Sequence, residues 1–121
     1  MIGGNDGTLQ LGATFGQGQV EEAFDFDGVD DHVLIPHAAE LAFGDGQDFT
    51  IDVWINLQRP TLNPPPGFDD EIVGKWNVQN FRSGVNRNFY RLYLQRTTHN
   101  VRFSVATGGS VHILESASSV L

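Results

Sequence analysis

Asp25, Asp27, Asp30 and Asp31 place four carboxylates within seven residues. Hard cations such as Ca²⁺ take several oxygen ligands, and a turn lets carboxylates and carbonyls converge. Asp27, Asp30 and Asp31 are therefore the candidate metal ligands, with Ca²⁺ as the candidate cofactor. The spacing is not that of an EF-hand. Val29 stands where a third acidic ligand would fall, and no Glu occupies the closing position. The competing reading is an Asx-type turn, in which Asp side chains bond nearby backbone N–H groups. Phe24 and Phe26 alternate with Asp25 and Asp27, and Val33 and Ile35 alternate after Asp30-Asp31. That pattern predicts a strand, a tight acidic turn and a second strand forming a hairpin.

A second chemistry is sugar stacking. Trp54, Trp76, Phe81, Tyr90 and Tyr93 offer flat apolar rings to the C–H face of a pyranose, while neighbouring Asn or Arg bond its hydroxyls. Trp76 beside Asn77, followed by Asn80, Arg82, Asn86 and Arg87, is the richest local combination. The expected ligand-binding residues are Trp76, Asn77, Asn80, Arg82 and Arg87. The competing reading makes Trp54 and Trp76 core or half-buried packing residues.

Catalysis finds little support. The Gly-x-Ser-x-Gly elbow is absent. Asp48, Asp52 and Glu71 are too scattered to argue a glycosidase carboxylate pair. His32, His37, His99 and His112 share no metal-ligand spacing and read as surface residues. No catalytic residue is expected.

The elements that position these residues follow from periodicity. Leu9, Leu11, Ala13 and Phe15 alternate, which predicts a first strand. Residues 49–57 give the clearest strand pattern, with Phe49, Ile51, Val53, Ile55 and Leu57 on one side and Trp54 on the other. Residues 58–69 form a loop through Pro64-Pro65-Pro66, which cannot sit in a ladder. Further strands are expected at 71–76, 89–95, 101–105 and from 111. Turns fall at 97–100 and 107–110, and a surface loop at 77–88. The only helical candidate, residues 38–43, is a turn or two at most.

The 121 residues bound a single domain spanning 1–121. Cysteine is absent, which excludes disulfides and thiolate sites. Net charge is −8, with eleven Asp or Glu and no Lys or Arg in residues 1–58. An acidic chain without a basic stripe argues against nucleic-acid binding. No apolar run approaches membrane-spanning length, so no membrane insertion is expected.

An ordered set of motifs carries a resemblance. It comprises Asp6-Gly7-Thr8-Leu9, Gly12-Ala13-Thr14-Phe15, residues 23–33 with Ile35-Pro36, Leu41 and Phe43-Gly44. Residues 48–54, Ile72-Val73-Gly74-Lys75-Trp76, Tyr93-Leu94 and residues 101–105 follow in the same order. The chain resembles the laminin G-like, concanavalin A-like domains of bacterial surface and secreted proteins. That resemblance implies an all-β, antiparallel jelly-roll β-sandwich. It also implies calcium in many such domains, and a role in glycan binding, adhesion or as an accessory module on hydrolases. Family domains continue with a Trp-His-His-Val-like strand and a Tyr-x-Asn-Gly hairpin, whereas this sequence ends at Leu121. It therefore reads as the N-terminal two-thirds of a jelly roll, truncated at its C-terminus.

The expected function is a non-catalytic binding or adhesion module of a larger secreted or cell-surface protein, directed at glycan or protein, with any export signal outside this chain. The alternatives are an accessory domain of a carbohydrate-active enzyme and a purely structural spacer. Open sheet edges in an incomplete sandwich are expected to favour self-association.

Overall fold

The computed structural model describes residues 4–43, 46–57, 69–75, 89–107 and 110–118. The described chain is all-β. Its strands pair antiparallel throughout, and its only helical piece is a 3₁₀ turn at Ala39–Leu41, inside the predicted 38–43 segment. Contacts divide the chain into two compact units, Met1–Ala42 with Ile51–Ile55, and Phe43–Thr50 with Asn56–Leu121.

The first unit is built from β1 (Thr8–Gln10), β2 (Thr14–Gln17), β3 (Glu22–Asp25) and β4 (His32–Leu34). β2 and β3 form the inner hairpin, closed by a turn in which the Gly18 N–H donates to the Glu21 carbonyl at 2.8 Å. β1 pairs with β4 outside it, Thr8 opposite Leu34 and Gln10 opposite His32. The strands flanking the acidic turn are thus not each other's partners, which corrects the expected hairpin over residues 24–36. Both belong to one long antiparallel ribbon, interrupted midway. Residues 11–13 cross the interruption on one arm and residues 26–31 on the other, so the acidic arm carries the surplus residues. Period-two alternation identifies strands but carries no information about which strand supplies the ladder.

The predicted continuous strand from Leu9 to Phe15 breaks at the same place. Leu11 has φ 60° and Gly12 φ 123°, outside the extended region. Phe15 stacks near Phe24, with centroids 5.4 Å apart, and Phe24 near Phe26 at 6.0 Å. The first is a cross-strand pair of register partners, which helps hold a two-stranded ribbon together. All three rings remain largely exposed.

The second unit holds a four-stranded sheet in the order β5 (Asp70–Lys75), β6 (Phe89–Leu94), β7 (Val101–Thr107), β8 (Ser110–Glu115). One face carries Tyr90, Leu92, Leu94, Val101, Phe103 and Val105, the apolar set that alternation assigns to it. Leu94 is completely buried. Phe43 and Phe49 stack at 4.2 Å and lie 5.3 Å from the Tyr90 ring, and Phe49 meets Phe103 edge-on at 5.9 Å. Burial pushes the Tyr90 phenol pKa up and that of its register partner Lys75 down.

The other face carries a row of register partners across all four strands: Glu71, Tyr93, Arg102 and Glu115. Arg91 bonds Glu71 through Nε at 3.0 Å and Nη2 at 2.6 Å, and its guanidinium sits 3.8 Å over the Tyr93 ring. Arg102 meets Glu115 at 2.8 Å. The buried Ser104 hydroxyl donates to the Tyr93 hydroxyl at 3.4 Å.

Residues 49–57, the clearest strand in the sequence, form no ladder in the described structure. Their alternation supplied the side chains of a strand, but a strand exists only where a neighbour completes its hydrogen bonds.

Candidate functional site

The acidic loop occupies the interruption of the long ribbon. Gly28, at φ 77°, permits the tight turn. Asp27 Oδ1 accepts the Val29 N–H at 2.8 Å, an Asx turn of the kind the sequence suggests. Asp31 Oδ2 accepts the Asp27 N–H at 2.9 Å and ties the loop's end to its start. The His32 ring Nδ1 lies 3.0 Å from the Asp30 carbonyl oxygen and donates to it in the Nδ1–H tautomer. These bonds define the loop without any ligand.

They do not satisfy every oxygen. Asp27, Asp30 and Asp31 each bring one carboxylate oxygen to within 4.8 Å of the others. Asp27 and Asp30 are exposed and Asp31 is half-buried. Asp31 Oδ1 is itself buried and has no hydrogen-bond partner. It lies against Gly12, where a Cβ would come within 2.8 Å of it. Three carboxylates this close repel one another, and a buried unpaired oxygen carries a desolvation cost. A divalent cation answers both conditions, and an all-oxygen donor set suits Ca²⁺ or Mg²⁺ rather than a softer metal. The residues present thus fit a hard cation, with Asp27, Asp30 and Asp31 able to hold it.

Asp25, the fourth carboxylate of the run, stays on β3 opposite Thr14 and outside this group. Gly12 was part of a motif in the sequence but carried no role there. The signal for it was a glycine interrupting an alternating run, which marks a close approach or an irregular backbone.

The expected ligand-binding residues Trp76, Asn77, Asn80, Arg82 and Arg87 lie outside the described residues, as do Phe81 and Asn86. Of the remaining aromatic candidates, Tyr93 is buried beneath Arg91 and offers no face to a sugar. Trp54 is 81% exposed, contrary to the packing reading. Glu71, considered for a carboxylate pair, is committed to Arg91. Among the described residues no histidine joins a metal-ligand group.

Two further electrostatic effects sit on the polar row. The Asn100 amide, donating at 2.6 Å, and then Arg102 hold the Glu115 carboxyl below its ordinary value. Glu115, and secondarily Tyr93, raise the Arg102 guanidinium. Arg102 Nε is buried without a partner. This network fastens the sheet.

Comparison with known proteins finds no matching family model, no matching curated protein and no matching solved structure. No helix among the described residues is long and apolar enough to cross a membrane.

Proposed function

We propose that this chain is a non-catalytic binding module of a secreted or cell-surface protein, built as a laminin G-like jelly-roll β-sandwich, with a calcium ion bound in its acidic loop. The observation that carries the cation is the convergence of the Asp27, Asp30 and Asp31 carboxylates, together with the buried, partnerless Oδ1 of Asp31. Calcium there would offset two of the three charges and hold the acidic arm of the interrupted ribbon in one conformation. The ion serves as a structural clamp on the loop.

The ligand is a glycan or a protein surface, and the aromatic and amide-rich segment around Trp76 and Asn77 is its contact. The engagement of Glu71 by Arg91 supports the non-catalytic reading, since a carboxylate held in a bidentate ion pair is not available as a general acid. Calorimetric titration with calcium tests the cation, and a glycan array probed with and without calcium tests the ligand. Calcium binding of unit stoichiometry that is lost in Asp31→Asn is expected. Absence of calcium uptake removes the clamp, and an array without hits in either condition removes the glycan.

A further inference from the structure

We draw no further inference here: the strongest candidate, the exposed edge strand β8 with Val111, Ile113 and Leu114 on its surface, carries none because nothing in the structure shows what covers it.

Discussion

Asp31→Asn separates the two roles of the acidic loop, because its effect on stability should change sign with calcium. Asparagine keeps an oxygen to accept the Asp27 N–H, so the loop's closing bond survives. The charge does not. At the outer limit of 4.8 Å within which these oxygens lie, two unit charges in bulk water repel by about 0.9 kcal/mol. Asp31 has two such neighbours, and screening at physiological salt roughly halves the total, leaving about 1 kcal/mol. In chelator, therefore, the variant should melt higher than the parent by about 3–5 °C for a chain of this size. Calcium bound at the proposed site should reverse the order. An ion that binds only the folded state adds about 2.7 kcal/mol at a concentration one hundred times its Kd. That should raise the parent's melting temperature by about 10 °C and leave the variant nearly unmoved. Differential scanning calorimetry in chelator and in a calcium series reads both halves. Equal calcium responses in parent and variant would refute the clamp, and a variant that melts lower in chelator would refute the repulsion argument.

Three other perturbations test the frame around the site. Gly12→Ala introduces a Cβ 2.8 Å from Asp31 Oδ1 at φ 123°, and should cost about 1–3 kcal/mol from the backbone alone, read by urea denaturation. Leu94→Ala empties a fully buried position and should cost about 2–5 kcal/mol, with the same assay showing a lower midpoint at an unchanged slope. Asn100→Ala removes the largest cause of the depressed Glu115 carboxyl, so that group should titrate closer to its ordinary value near 4.5 in a carbon-detected NMR titration. Because the folded carboxyl is depressed, its contribution to stability is present above the ordinary Glu range and disappears as pH falls through the folded value. The parent should accordingly lose stability more steeply than the variant across that acid window.

The all-β character, the four strands of the second sheet and the short turn near residue 40 were legible because alternation and turn chemistry are local properties. Residues 89–94 show this well: the sequence assigns Tyr90, Leu92 and Leu94 to one face, and the structure buries Leu94 there. Partner choice was not legible. The run around Asp27 looked like one hairpin, yet its strands pair with β1 and β2, because the ladder depends on residues that precede the run in the chain. Residues 49–57 failed for the same reason, since side-chain alternation persists whether or not a neighbour exists. The three candidate ligands were visible as composition. The buried Oδ1 and the role of Gly12 were not, because both depend on the approach of two arms separated in sequence.

The row from Glu71 through Tyr93 and Arg102 to Glu115 also bears on misfolding. A strand that slides by one residue exposes its apolar side chains, so burial already punishes that error. A slide of two residues keeps every side chain on its proper face and escapes that penalty. In one direction such a slide would set Arg91 of β6 opposite Arg102 of β7, two like charges in the closest cross-strand position. It would also part Tyr93 from Arg102. The polar face thus acts as a proofreading device for the alignment of β6 and β7 against a slide in that direction, an error that the apolar face cannot detect.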